Sequence, residues 1–139
     1  MKVLHVNDHY EPVGGAEVIL FRTLEALEEE GIVNVVVHQY PSHRKETRRR
    51  VYQVSHLGDA TPPNPSAVVE AFKRILEGEQ PDLIHLYDIG NPDIAQTSCR
   101  FGPTVQGVLN HSFYCPGGMK YLPFLHRICQ RPFGPGCLA

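Results

Sequence analysis

The chain has 139 residues, enough for one domain with a buried core and too few for two full ones. Hydrophobic residues make up 42% and charged residues 20%, with a formal net charge of -2, which fits a water-soluble globular fold and excludes a global electrostatic pull toward nucleic acid. Apolar runs reach only a few residues, which excludes a bilayer-spanning helix, and a strand pattern begins after Met1-Lys2 without the apolar stretch of a signal peptide, so the expected compartment is the cytoplasm.

Val3, Leu4 and Val6 form a β-type apolar run that passes through a polar loop with Pro12 into Gly14-Gly15, where a helical pattern starts at Ala16 and Glu17. Glycine lacks a Cβ, so a ligand can approach the unpaired N–H groups at the helix start, which together with the helix dipole favour an anion. The expectation is a nucleotide or phosphate-ester site at this first βα turn, with Gly14, Gly15 and Glu17 as substrate-binding residues. The spacing is neither the dinucleotide G-x-G-x-x-G nor a P-loop, and the alternative is a plain tight turn that packs strand on helix. Glu17 suits the dipole but partly opposes a bound anion.

Leu20, Leu24 and Leu27 repeat at helical spacing with Ala16 and Phe21 beside them, and the helix is expected to reach about Glu30 and stop at Gly31. Val33 to His38 is a β-branched run without alternation, as in a strand buried on both faces of a parallel sheet, and it completes a βαβ unit. Pro41 to Arg50 is polar and basic: a solvated loop, or alternatively a contact with an anionic lipid surface or an acidic acceptor through Arg44 to Arg50. Val51 to Ser55 reads as a short strand and Thr61 to Pro65 as a linker. Ser66 is the expected cap of a second helix whose stripe of Val69, Phe72, Ile75 and Leu76 ends at Gly78.

Leu83 to Leu86 forms another buried strand, and Tyr87 to Asn91 is its polar exit, with Asp88 and Asn91 as candidate substrate-binding residues. Asn91 or Asp93 caps a short helix over Ile94 to Cys99, and Thr104 to Leu109 is the last strand. The order β-α-β-β-α-β-α-β predicts an α/β fold, a Rossmann-like open sheet of mostly parallel strands with helices on both faces. Ligands bind such sheets outside the carboxyl ends of the strands, where loops 7–15, 87–92 and 110–118 are expected to gather. His111, directly after the last strand, is the candidate catalytic residue, able to donate a hydrogen bond to a sugar hydroxyl or to carry a proton. Ser112 beside it is a candidate substrate-binding residue, and a structural histidine is the alternative for His111. His5 and His85 read as core or lining residues.

Three of the four cysteines lie in the last 25 residues, and in the cytoplasm they are expected to be reduced thiols. A weaker alternative is a zinc site from His111, Cys115, His126, Cys129 and Cys137, although no C-x-x-C pair is present. The apolar tail around Phe124, Leu125 and Phe133 offers a surface to a second copy in a homo-oligomer.

The stretches MKVLHVNDHYEPVGGAE, PDLIHLYD and PTVQGVLNHSFYCPGG, in that order, resemble the N-terminal Rossmann-like half of the retaining, nucleotide-sugar-dependent glycosyltransferases of GT-B architecture, the group 1 or family 4 type. The resemblance implies that Gly14-Gly15-Ala16-Glu17 lies beside the donor diphosphate and the acceptor, and that His111 contacts the donor sugar near the reacting centre. Cys115-Pro116 with the following glycines is similar to a subset with a "CP.G" stretch, and Ser112 stands where Asp is common. The second Rossmann domain, with the Glu-x7-Glu signature that holds the nucleotide-sugar, is absent from the 139 residues. Residues 1–139 are therefore expected to be a single, incomplete acceptor-side domain, inactive alone. The implied partners are a nucleotide-sugar donor, as substrate, and a glycan, lipid or small-molecule acceptor, with no obligatory cofactor and no nucleic acid. Peripheral contact with the inner membrane face goes with Arg44 to Arg50. The readings of other classes are a stand-alone α/β module for a small phosphorylated ligand and a small zinc-binding interaction domain.

Overall fold

In a computed structural model of the protein, the structure describes residues 1–44, 48–111, 115, 120–122, 125–130, 134 and 137. By its contacts the chain, expected from its length to be one domain, divides into two compact units, Met1–Gly107 and Val108–Ala139.

In the first unit β1 (Lys2–Asn7), α1 (Gly15–Glu29), β2 (Val33–His38), β3 (Arg50–Gln53), α2 (Pro65–Glu79), β4 (Leu83–Tyr87), α3 (Pro92–Phe101) and β5 (Thr104–Gly107) follow one another in the predicted order. The five strands form one sheet in the order β3-β2-β1-β4-β5, and each pairing is parallel, which makes this a Rossmann-like α/β open sheet. β1 is central, with Leu4 in register with Val35 on one side and Ile84 on the other. Side chains alternate across the pleat. Leu4, Val6, Val35, Val37, Ile84 and Leu86 pack with Phe72 and Leu76 of α2 and Ile94 of α3, while Val36 and Tyr87 pack with Leu20 and Leu24 of α1. The helices thus cover both faces, and the β-branched central run has no solvent side to make polar.

α1 ends as its sequence predicts, with Glu30 as cap and Gly31 in the left-handed region at φ 73°. α2 does not start at Ser66. Asn64 caps it, accepting from the Ala67 N–H at 3.2 Å, and Pro65 takes the first helical position, where a missing N–H costs nothing. Ser66 instead donates its hydroxyl to Asn64 Oδ1 at 3.0 Å. The helix also faces the core through Val68, not Val69, and continues past Gly78 to Glu79, with Gln80 in the left-handed conformation at φ 46°. β3 starts one residue and ends two residues earlier than the apolar run indicates, β5 starts at Thr104 as expected and ends two residues earlier, and α3 starts at Pro92, capped by Asn91.

The basic run is not a freely solvated loop. Arg49 holds the Glu28 carboxylate with both Nε and Nη2, the latter at 2.8 Å, and Arg50 lies 3.0 Å from the buried Glu79, which also accepts from the Tyr52 hydroxyl. The Arg44 guanidinium sits 4.4 Å from the Phe21 ring centre, a cation–π contact. A carboxylate as deeply buried as that of Glu79 requires such partners, so these arginines serve the fold at its sheet edge. Lys45 lies outside the described residues.

The second unit contains β6 (Tyr121–Leu122) and β7 (Arg127–Ile128), an antiparallel pair too short to leave a periodic signal in the sequence. Leu125 and Ile128 are 58% and 71% exposed. Phe124 and Phe133, named with Leu125 as an oligomer surface, lie outside the described residues. Among the described residues no helix is long and apolar enough to cross a membrane.

The cap assignment gives an expected outcome: Asn64→Ala lowers the unfolding free energy by about 1 kcal/mol, while Ser66→Ala changes it by a few tenths at most. Urea unfolding of the two variants, followed by circular dichroism, measures the difference.

Candidate functional site

The chain runs from β1 outward to β2 and β3, then returns to the other side of β1 for β4 and β5. Its direction of winding reverses between β1 and β4, and loops leaving the carboxyl ends of those two strands diverge to leave a crevice. Asn7 and Asp8 stand at one side of it, and Tyr87, Asp88 and Asn91 at the other.

Asp8 is held there by backbone. Its carbonyl accepts the N–H groups of Gln39 and Tyr40 at 3.0 and 2.9 Å, which ties the exit of β1 to that of β2. Gln39 in turn accepts from the Gly58 N–H and donates to Asp59 Oδ1 at 2.7 Å, and the other Asp59 oxygen is 2.6 Å from His56 Nδ1. Gly58 is required by close approach: a Cβ there would stand 1.9 Å from Asp8 Oδ1 and 3.2 Å from Gln39 Oε1. The half-buried Asp8 carboxyl has one oxygen, Oδ1, without a hydrogen-bond partner among the described residues. Burial, with the like charges of Asp59, Glu17 and Asp88, pushes its pKa above the ordinary carboxylate value against a lowering by His9.

The predicted glycine turn is present: Gly14 caps α1 in extended conformation and Gly15 is its first residue, open to solvent. Glu17, however, is buried and folds back, its Oε1 accepting from Asn7 Nδ2 at 3.2 Å and its Oε2 lying 3.1 Å from where a Gly14 Cβ would be. A carboxylate of the helix itself thus occupies the neighbourhood of the α1 N-terminus, and the turn is a poorer phosphate cradle than the glycines alone indicate. Glu17 and Asp88 both come within electrostatic reach of Asp8. Asp88 takes a left-handed φ of 55° and donates its N–H to the Gly107 carbonyl at 3.0 Å. Asn91 is 1% exposed, and its Oδ1 accepts from the N–H groups of Asp93 and Ile94 at 3.1 and 3.4 Å.

His111 does not follow its strand directly. β5 stops at Gly107, because Val108 and Leu109 are exposed and no longer paired in the sheet, so His111 is an exposed residue of the second unit whose carbonyl accepts the Cys115 N–H at 2.8 Å. Ser112 lies outside the described residues. Cys99, Cys115, Cys129 and Cys137 are free thiols, and among the described residues no three His, Cys, Asp or Glu side chains, those of His111, His126 and the late cysteines included, come together as a metal site.

Sequence reasoning missed Asp8, Gln39, Gly58 and Asp59. The available signal was position: each follows the end of a strand at the edge where ligands bind. It also missed the network behind them. His5 lies within the sheet, its Nε2 2.9 Å from Asn34 Oδ1 and its Nδ1 3.2 Å from the Tyr87 hydroxyl, so Nε2 carries the proton and Nδ1 accepts. Asn34 continues the chain by donating to the Leu24 carbonyl of α1 at 3.2 Å, and His85 stacks on Tyr87 at 4.0 Å. Burial lowers the pKa of His5 to about 4, with the Asn34 bond opposing and His85 and Arg49 adding to the shift, so the ring is neutral at neutral pH.

The model of the family described as Glycosyltransferase Family 4 matches residues 13–132. No curated protein matches the chain.

Two outcomes are expected. Because the folded pKa of His5, about 4, lies below the unfolded value of 6.5, the unfolded chain gains a proton first as pH falls. Its contribution is full above pH 6.5 and is lost on the way to pH 4, by about 3 kcal/mol. Urea unfolding at pH 7.5, 5.5 and 4.5 should show this slope, reduced in His5→Leu, which is itself less stable because Asn34 and Tyr87 lose their partner. Gly58→Ala forces the Asp8 carboxyl aside and should cost about 1–3 kcal/mol in the same assay, as overpacking does.

Proposed function

Since the chain belongs to glycosyltransferase family 4, we propose that it is the acceptor-side, Rossmann-like domain of an enzyme that moves a hexosyl group from a nucleotide-sugar to an acceptor with retention of anomeric configuration. The observation that carries the acceptor side of this reading is the charge of the crevice between β1 and β4. Glu17, Asp59 and Asp88 each act electrostatically on Asp8 there, and the amides of Asn7 and Gln39 donate to Glu17 and Asp59. Such walls repel a diphosphate and hydrogen-bond hydroxyl groups, so the nucleotide-sugar takes its phosphate contacts from another half of the enzyme.

In the transfer, the acceptor hydroxyl oxygen bonds to the anomeric carbon, the bond from that carbon to the diphosphate oxygen breaks, and the hydroxyl proton passes to the departing phosphate. This chain's part is to hold the acceptor and orient its hydroxyl, a contribution of position. His111 is the candidate for contact with the donor sugar; what supports this is its place after β5 and the resemblance of its surroundings to the family's pattern. The cytoplasm, where free thiols persist, is the compartment that suits the four cysteines. A module for phosphorylated ligands is disfavoured by the same carboxylates.

The 139 residues alone are expected to turn over no UDP-, GDP- or ADP-sugar. Joined to a nucleotide-sugar-binding second domain they should transfer sugar, with the product anomer matching the donor by NMR. In that enzyme His111→Ala should lower kcat about 100-fold or more. Turnover by the isolated chain, or an inverted product, would overturn the reading.

A further inference from the structure

Tyrosines at the strand ends of the first unit are put to two uses. Tyr10 after β1 and Tyr87 at the end of β4 are 1% and 2% exposed and pack with Leu20 and Leu24 of α1. Tyr40 after β2 is 44% exposed and belongs to neither apolar cluster, so packing of the core does not account for it. One face of its ring lies on the imidazole of His9, with the ring centres 4.5 Å apart and the planes 22° from parallel. Among the described residues no other ring contacts Tyr40. With His9 on one face, the exposed area of Tyr40 lies on the opposite face and the rim.

The stacked pair is held by its backbone. Tyr40 donates its N–H to the Asp8 carbonyl at 2.9 Å, and His38 Nδ1 donates to the Tyr40 carbonyl at 2.8 Å. The His9 carbonyl accepts from Asn7 Nδ2 at 2.7 Å. Both residues are thus fixed where the exits of β1 and β2 are tied together, on the edge of the sheet where ligands bind. A single exposed apolar side chain is ordinary at a surface, but a ring pinned by stacking and by two backbone bonds is not free to turn away. The Tyr40 hydroxyl makes no hydrogen bond with the described residues. A rigid ring of this kind loses little ordering entropy when a ligand settles on it, and it offers apolar contact on its face and a hydrogen bond at its rim. A pyranose has the same division, C–H groups on the faces of its ring and hydroxyl groups around the edge. An alkyl chain leaves the polar rim unmatched, and a phosphate has no apolar face to lay on the ring.

We propose that Tyr40, backed by His9, is a stacking platform for a pyranose ring of the acceptor: the C–H face of the sugar lies on the outer face of Tyr40, and an edge hydroxyl bonds the Tyr40 hydroxyl. The inference rests on the reading of this domain as the acceptor side, and it makes the acceptor a glycan or glycoside instead of a sugar-free lipid.

The test is an NMR titration of the full 139-residue chain with the methyl β-pyranosides of glucose, galactose and mannose, and with benzyl alcohol and n-butanol as flat and chain-like apolar probes. At least one pyranoside should shift the Tyr40 ring signals, and the ring current should move the C–H protons on one face of that sugar upfield. Neither apolar probe should bind there as tightly. Tyr40→Ala and His9→Ala should each weaken the binding about five-fold or more, and Tyr40→Phe, which keeps the face and loses the hydroxyl, by about two-fold. Tyr40 lies outside both apolar clusters, so circular dichroism of Tyr40→Ala should match the parent. Unchanged binding in either alanine variant, a loss in Tyr40→Phe as large as in Tyr40→Ala, or tighter binding of an apolar probe at Tyr40 overturns the proposal. No response of the Tyr40 ring to any pyranoside also overturns it. The acceptor-side reading survives each of these outcomes, because the transfer assay with the joined enzyme judges it separately.

Discussion

β1 is paired on both edges and covered on both faces, and this double burial is the constraint from which the rest of the first unit follows. A strand in that position cannot present polar groups to water on either face, so its polar residues must either be matched inside or fall beyond its end. Both occur here. His5 is matched by Asn34 and Tyr87, and Asp8, one residue past the strand, emerges where the loops of β1 and β4 diverge. The rigidity of the central strand is what lends a short exit loop a fixed place in the crevice.

The His5 network has a role in specifying the α1 side of the sheet. Tyr87 of β4, His5 of β1, Asn34 of β2 and the Leu24 carbonyl of α1 are joined in one hydrogen-bonded chain, so three strands and the helix that covers them share a single register. Aliphatic packing alone tolerates small slips, since dispersion is non-directional, whereas a buried imidazole missing either partner leaves an uncompensated polar group. On the opposite face, Leu4, Val6, Val35, Val37, Ile84 and Leu86 pack against α2 and α3, with no such chain among the described residues.

Charge divides the first unit into two ends. At the amino end of the sheet Arg50 and Lys2 surround the buried Glu79. At the carboxyl end Glu17, Asp59 and Asp88 act on Asp8. Of the arginines that look in sequence like a surface for anions, Arg49 and Arg50 pair with Glu28 and Glu79 of the covering helices, while the carboxyl end of the sheet is acidic around Asp8. A near-neutral total of -2 conceals this separation, which is why the bulk composition says little about the ligand.

Element type and order were legible in the sequence, because period and composition are local: the β-branched run Val33–His38, the leucine stripe of α1 and Gly31 after it appear in the structure where the pattern places them. Element ends were less so. Pro65 and Asn64 read as linker because proline is poor inside helices, yet it is favoured at their first position; Val108 and Leu109 extend the apolar run past Gly107 but find no strand to pair with. Of the candidate site, Glu17, Asp88 and Asn91 were named, but Glu17 as an unattached first-turn charge and not as a carboxylate folded against Gly14. Asp8, Gln39 and Gly58 come from three separate strand exits, and only the order β3-β2-β1-β4-β5 brings them together. The sequence by itself determined a parallel α/β domain through short-range periodicity, and pointed to the glycosyltransferase kind through the resemblance of its motifs to that family. Which polar atoms meet at its crevice was decided by tertiary structure alone, because hydrogen bonds and electrostatic fields depend on distances in space that spacing along the chain does not encode.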